Sequence, residues 1–154
     1  MAKEKEKRIR DAFATWLRTS SELVTLATAA SNIRAENQNA PAPVPGVVFS
    51  MNTQPFVDGS DQVFLSYVLI SCMHANKALM LDMLGAISDL ARPAGNQRDA
   101  SFTGTNVATM GIAWLGSDES FIGSTSGARL PEVPLENVFR GEATIRLVWR
   151  DTAS

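Results

Sequence analysis

Residues 61–90 constrain the fold most strongly, because a long strand pattern there runs directly into a helix pattern. Residues 63–72 read VFLSYVLISC, which is rich in β-branched and aromatic residues and contains no glycine, proline or charge. Both alternating faces of this segment are mainly apolar, so we expect a strand that is covered on both sides, near the middle of a sheet. Apolar residues then recur at helical spacing between Leu79 and Leu90, which predicts a helix immediately after the strand.

The first 36 residues are predicted to hold a helix pair and an edge strand. Residues 1–8 are a charge run, which we expect to be solvated and frayed. The sequence TSSE at 19–22 has the form of a capping box that begins with the Thr19 hydroxyl, and it predicts a short second helix over residues 22–30. Residues 31–36 are predicted to form a short edge strand. The first helix ends near residue 18, and four apolar residues mark its buried face: Ile9, Phe13, Trp16 and Leu17.

A proline-rich segment and a turn separate this region from the central strand. Three prolines exclude residues 37–46 from the interior of a sheet. Residues 47–51 are a predicted short strand, and Asp58-Gly59 is the tightest point of the turn that follows. This order predicts a hairpin or near-hairpin between residues 47–51 and the central strand.

The C-terminal part is predicted to contain two strands and two long loops. Residues 92–106 are a predicted polar loop, and residues 107–115 a strand. Residues 116–137 are rich in Gly, Ser and Pro, and a loop of that length is typically functional. Residues 139–150 alternate clearly between apolar and polar side chains, which predicts a strand with one face in the core. The predicted core face is Ala143, Ile145, Leu147 and Trp149.

Six residues are candidates for a subunit or partner interface. Phe121 and Ile122 are large apolar residues inside the predicted polar loop, where contact with another chain and packing back onto the domain explain them equally well. The other four form the outward face of the last predicted strand, which meets water or a polar partner: Glu142, Thr144, Arg146 and Arg150.

Together these elements predict a single domain over residues 1–154 with an α+β fold. We expect a mixed, mainly antiparallel sheet of about four to five strands, packed by an N-terminal helix pair and one long helix after the central strand. A net charge of -2 argues against specific nucleic-acid binding. No apolar run approaches the roughly 20 residues of a membrane span, and the charged N-terminus differs from a signal peptide. We therefore expect neither a membrane nor a nucleic acid as a specific partner.

No combination of residues predicts an enzyme, a metal site or a cofactor. The chain has one histidine and one cysteine, His74 and Cys72, which are too few ligands for a metal site. A catalytic Cys–His pair needs an orienting group and an oxyanion donor, and neither is suggested here. The simpler interpretation is a buried Cys72 with His74 at the start of the helix. Adjacent acidic residues lie in predicted loops, and the glycines lack the strand-to-helix context of a phosphate loop.

The order of elements resembles the small tail-terminator or tail-completion (neck) proteins of long-tailed bacteriophages. The resemblance extends from about Ile9 to Asp151. It depends on PGVVFSM before the hairpin, on ANKALMLDMLGAISDL after the long strand, and on FRGEATIRLVWRD at the end. The predicted loops 92–106 and 116–137 are longer than the family pattern.

The resemblance implies a structural virion protein with no catalytic residues and no cofactor. Such proteins form rings, commonly hexamers, on the end of a completed tail tube. They stop tube polymerisation and present a surface to the head-side connector. The implied partners are a second copy of the chain, the tail tube protein and the connector protein. The implied location is the tail or neck of the virion after synthesis in the host cytoplasm, with DNA passing through the ring without specific binding.

Two alternatives stay open on the sequence alone. One is another neck component, a head-completion or connector protein, which shares the ring logic but docks elsewhere. The other belongs to a different class, a small-molecule-binding regulatory α+β dimer that uses the sheet face as its pocket. A ligand of such a dimer would raise its thermal stability.

Overall fold

The computed structural model describes residues 3–36, 40–56, 62–92, 101–122 and 138–153, with the backbone alone for Lys3 and residues 119–122. In these segments three helices pack with a six-stranded sheet. The predicted α+β class is confirmed, and the sheet has one or two more strands than expected. The elements are α1 (Lys3–Leu17), α2 (Ser21–Leu26), a 3-10 turn (Ala30–Asn32), β1 (Ile33–Ala35), β2 (Gly46–Pro55), β3 (Val63–His74), α3 (Lys77–Ala91), β4 (Thr103–Gly104), β5 (Val107–Ile122) and β6 (Val138–Asp151).

The sheet is mixed and mainly antiparallel, with strand order β1-β2-β3-β6-β5-β4. Only β1 and β2 are parallel among the described strands. β2 and β3 form the predicted hairpin, with Val47 opposite Cys72 and Phe49 opposite Ile70. β2 continues to Pro55, four residues beyond the predicted strand, because the whole of its length finds a partner in β3.

The additional strand, β4, lies inside the predicted loop 92–106. Its two residues pair with the start of β5, where Thr103 is opposite Ala108. Thr109 reinforces this contact, since its Oγ1 donates to the carbonyl of Phe102 at 3.1 Å and accepts from the amide of Phe102 at 2.9 Å. A strand of two residues leaves no periodic pattern, so a sequence argument has nothing to detect. Residues 93–100 of the predicted loop lie outside the described part.

The predicted long loop 116–137 is wrong for its first seven residues, because β5 runs to Ile122. Two register shifts, at Thr109/Gly111 and at Trp114/Gly116, interrupt its pairing with β6. Each shift inserts a residue and moves the following side chains to the other face. The alternation that normally marks a strand is therefore lost around residue 116. Residues 123–137 lie outside the described part of the chain.

The N-terminal helix begins at Lys3, so the predicted frayed segment is wrong for residues 3–8. This segment is held by contacts with Asp151, a residue near the other end of the sequence. Arg8 Nη2 lies 3.3 Å from both carboxylate oxygens of Asp151, and Lys5 Nζ lies 3.4 Å from one of them. Lys7 and Asp11 add an ion pair of 2.9 Å on the exposed side. A charge run therefore becomes ordered because the C-terminal strand supplies a counterion.

The second helix is shorter than predicted and has a different N-cap. The side chain of Ser20 accepts a hydrogen bond from the amide of Leu23 at 3.2 Å, which satisfies one free donor of the first turn. The Thr19 hydroxyl instead donates to the carbonyl of Trp16 at 2.6 Å and ends α1. The helix ends at Leu26, whereas the sequence predicted residues 22–30.

Gly141 in β6 allows α3 to lie close against the sheet. A Cβ atom at this position would lie 2.5 Å from Leu84 Cδ1 and 2.5 Å from Met80 Sδ, which is closer than nonbonded atoms approach. The glycine of the FRG sequence therefore has a packing role, since a Cβ atom there would displace the buried side chains of Met80 and Leu84.

We expect Gly141→Ala to lower the free energy of unfolding by about 1–3 kcal/mol, because the added methyl overpacks a filled contact. The control is Gly85→Ala in α3, the helix that packs on Gly141, where nothing lies within 4 Å of the added Cβ. That control should be neutral or raise the stability by up to about 1 kcal/mol, since alanine favours the helix. Urea denaturation of both variants measures the difference, and equal effects would contradict the packing role.

Candidate assembly interface

In the described part of the chain, helices cover one face of the sheet and leave the other face uncovered. Alternate residues of β3 from Phe64 to Cys72 are buried under the helices. The residues between them are half-buried or exposed, and Tyr67 and Leu69 are 42% and 41% exposed. The expectation that both faces of β3 are covered is therefore wrong for the described part of the chain, because α1 and α3 both pack on the same side.

We call the uncovered side the open face, and we define it by the outward side chains of the two central strands. In β6 the outward residues alternate with the buried core residues Ala143, Ile145, Leu147 and Trp149, as the sequence predicted. The open face consists of Leu65, Tyr67 and Leu69 from β3 and of Glu142, Thr144, Arg146, Val148 and Arg150 from β6.

Cross-strand pairing places apolar β3 residues beside polar β6 residues on this face. Tyr67 is opposite Arg146, and Leu69 is opposite Thr144. Side chains at such positions have Cβ atoms within about 5.5 Å of each other, so they form one continuous surface. Tyr and Arg are enriched at protein–protein interfaces, and a row of exposed apolar side chains beside them is unusual for a solvated sheet face.

The electrostatics of the open face are dominated by two arginines. Glu142 accepts a hydrogen bond from Arg140 Nη2 at 2.6 Å, so its charge is compensated within β6. Arg146 and Arg150 are exposed, and neither forms an ion pair with another described residue. The open face therefore carries positive charge next to its apolar row.

The structure brings four of the six predicted interface residues together and separates the other two from their predicted context. Glu142, Thr144, Arg146 and Arg150 lie along one side of β6. The backbones of Phe121 and Ile122 belong to the end of β5, where they pair with Phe139 and Val138, and do not lie in a loop. Their side chains lie outside the described part of the chain.

Sequence reasoning missed four exposed apolar residues in the strands of the sheet. Tyr67 and Leu69 lie in a segment that is apolar on both faces, so the pattern alone did not mark them as outward. Met110 and Leu115 are 62% and 49% exposed and sit at the two register shifts of β5. Pairing the central strand in register with the alternating strand β6 would have placed Tyr67 and Leu69 beside its polar residues.

Cys72 and His74 have structural roles at the junction of β3 and α3. Burial raises the pKa of the Cys72 thiol far above its ordinary value, so the nucleophilic thiolate does not form at neutral pH. Burial also lowers the pKa of His74, whose Nδ1 accepts a hydrogen bond from the amide of Asn76 at 3.0 Å. Asn76 in turn caps α3 by accepting from the amide of Leu79 at 3.1 Å. His74 thus lies at the entry to the helix, two residues before the N-cap Asn76, as predicted.

Other candidate sites in the described residues lie elsewhere or are missing. A cavity of about 460 Å³ lies between α1 and β1, away from the open face. Two arginines in its lining are already engaged, since Arg18 donates to the carbonyl of Ile33 and Arg34 to that of Pro41. Within the described segments no group of three or more His, Cys, Asp or Glu side chains is placed to hold a metal ion. None of the described helices is long and apolar enough to cross a membrane.

Comparison with known proteins gives a likeness to a solved structure. No protein family model matches the chain, and no curated protein sequence matches it. Among solved structures, a chain from the structure of the virion of a native gene transfer agent (GTA) particle superposes with a TM-score of 0.65. The match covers 97% of this chain and 99% of that chain at 13% sequence identity. At this identity the likeness establishes a shared fold over the whole length of both chains.

Proposed function

We propose that this protein is a structural component of a phage-like virion, a tail terminator that assembles as a ring on the end of the tail tube. The observation that carries the proposal is the fold likeness to a virion-particle chain over 97% of this chain and 99% of that one. The resemblance of the element order to tail-completion proteins supports the same assignment.

The open face supplies the surface that such an assembly requires. A subunit acting alone gains nothing from exposing Tyr67 and Leu69 on its sheet, whereas a ring subunit buries them against a neighbour. In this proposal the protein acts by shape and self-association, binds no cofactor and catalyses no reaction. It joins the tail tube protein on one side and the head-side connector on the other.

Two lysines introduced on the open face should prevent ring formation. We expect the wild-type protein to give a closed oligomer, commonly a hexamer, in native mass spectrometry at rising concentration and in electron microscopy. The variant Tyr67→Lys with Leu69→Lys should remain monomeric, because it adds two charges to a surface that must lose its water. Its circular dichroism and thermal midpoint should stay close to those of the wild type, since both side chains are exposed.

A matched control separates loss of the interface from a general effect of charge. Phe56 is 52% exposed and lies beyond the end of β2, outside the open face, so Phe56→Lys should leave the ring intact. A wild-type protein that stays monomeric at every concentration, both alone and with tail tubes, would contradict the proposal.

Binding assays distinguish the tail terminator from a head-completion or connector protein. We expect the ring to co-sediment with purified tail tubes of the same particle. Co-sedimentation with portal-containing heads alone would assign it to the head-completion class. A dimer whose thermal midpoint rises with a small molecule would instead favour the regulatory class.

A further inference from the structure

The exposed side of α3 forms a second surface with a distinctive composition. Its only large apolar residue, Leu81, is 41% exposed and is flanked by two acidic residues and two small ones. The five residues recur at helical spacing on the side of α3 that faces away from the sheet. We call this surface the helix face; it comprises Ala78, Leu81, Asp82, Gly85 and Asp89, all of them exposed.

The helix face and the open face lie on opposite sides of the subunit. The other side of α3 is buried on the sheet through Met80, Met83, Leu84 and Ile87. Leu84 and Met80 reach the inner side of β6 at Gly141, directly behind the strand that carries Arg146 and Arg150. The sheet therefore separates the two surfaces, and no subunit is able to bring its own open face onto its own helix face.

The two surfaces are complementary in charge. Arg146 and Arg150 are exposed on the open face, and Asp82 and Asp89 are exposed on the helix face. None of these four side chains forms an ion pair with a described residue. Opposite charges of this kind orient two surfaces on approach and disfavour the contact of each surface with itself.

The two surfaces also match in spacing and shape. Asp82 and Asp89 are seven residues apart on a helix, which corresponds to about 10.5 Å along its axis. Arg146 and Arg150 are four residues apart on a strand, which corresponds to about 13 Å. The difference is well within the reach of two flexible arginine side chains. Ala78 and Gly85 on either side of Leu81 leave room for the larger Tyr67 and Leu69.

We infer that the open face of one subunit binds the helix face of a second copy of this chain, head to tail. This inference depends on the proposed ring, and it names the surfaces that form each contact. Because different surfaces meet, the contact is heterologous, and its repetition produces a closed ring or an open filament and not an isolated dimer. In the contact, Arg146 and Arg150 pair with Asp82 and Asp89 of the neighbouring copy around an apolar centre of Tyr67, Leu69 and Leu81.

A charge exchange between the two surfaces tests the inference. The open-face variant carries Arg146→Glu and Arg150→Glu, and the helix-face variant carries Asp82→Lys and Asp89→Lys. Each variant alone should raise the protein concentration for half-assembly at least about tenfold, because like charges then meet at every contact. An equimolar mixture should assemble at the wild-type concentration, since alternating copies restore opposite charges at each contact. Native mass spectrometry should find equal numbers of the two variants in each ring.

The alternatives give different results in the same experiment. If the wild type does not assemble under any condition, the proposed ring itself fails. If the wild type assembles and the helix-face variant alone assembles equally well, the open face meets another surface and the inference is overturned. An equimolar mixture that stays unassembled also overturns the inference. The thermal midpoints of the two variants show whether each is folded. The variant Glu4→Lys with Glu22→Lys changes two exposed acids outside both surfaces and should assemble normally.

Discussion

Replacing Trp149 with alanine should lower the free energy of unfolding by about 3–5 kcal/mol, a large part of what a domain of this size possesses. Trp149 is fully buried under the helices, and its ring centre lies 4.8 Å from that of Phe64. Its Nε1 donates to Ser66 Oγ at 2.9 Å, and Ser66 also bonds Thr53 Oγ1 at 2.7 Å. The substitution leaves a cavity in the core between the sheet and the helices, and it removes the N–H that donates to Ser66 Oγ.

Two further variants separate packing from hydrogen bonding at this position. Trp149→Phe keeps an aromatic ring, so it should lower the free energy of unfolding by less than Trp149→Ala does. Ser66→Ala keeps the tryptophan but leaves its buried N–H without an acceptor, which costs about 1–3 kcal/mol. Urea denaturation at one temperature measures all three. An alanine variant within about 1 kcal/mol of the wild type would contradict the central position of Trp149 in the core.

The substitution Asp151→Asn should lower the free energy of unfolding by about 3 kcal/mol, because it removes the counterion of two partly buried cations. The side chain of Asp151 is only 7% exposed, and those of Arg8 and Lys5 are 16% and 25% exposed. The same carboxylate accepts a hydrogen bond from the amide of Ala153 at 3.0 Å. The change therefore detaches the start of α1 from the end of β6. The control Asp11→Asn breaks an exposed pair with Lys7 and should cost at most about 0.5 kcal/mol.

The contribution of Asp151 should disappear in acid. Burial raises the pKa of Asp151, but the Ala153 amide and the charges of Arg8 and Lys5 outweigh this effect, so the pKa lies below its ordinary value. A group with a lowered pKa stabilises the folded state fully above its unfolded pKa of about 3.9, and this stabilisation is lost as the pH falls through the folded pKa. The stability difference between the wild type and Asp151→Asn should therefore shrink below about pH 4. A difference that stays constant down to pH 2 would contradict this account.

The elements that were predictable from the sequence are those whose side chains repeat without interruption. β3, α3 and β6 each carry their own periodicity over ten residues or more, so their type follows from local pattern alone. The helical start of α1 could not be predicted from the sequence, because its order depends on Asp151, which lies 143 residues from Arg8. β4 and the second half of β5 did not follow either, because one is too short and the other is interrupted by register shifts.

The candidate interface was predictable only in part. Alternation in β6 was enough to place Glu142, Thr144, Arg146 and Arg150 on its outer side. Whether the other face of β3 is covered is a property of the whole fold, and an apolar segment reads the same whether a helix or a neighbouring subunit covers it. The role of the six predicted residues as an interface remains a prediction, and the proposed assembly experiments test it at Arg146 and Arg150.

The irregular β5 strand determines where new strands are able to join this molecule. β4 covers just the first two residues of the outer edge of β5, so most of this edge borders no other strand in the described part of the chain, while the other edge pairs with β6. A long regular border of that kind would recruit β-segments from other molecules without limit. The register shifts at Met110 and Leu115 interrupt the regular row of free N–H and C=O groups along this edge, which makes pairing with a strand of another molecule less favourable. Association through faces, with a defined number of copies, is thereby favoured over uncontrolled fibre growth.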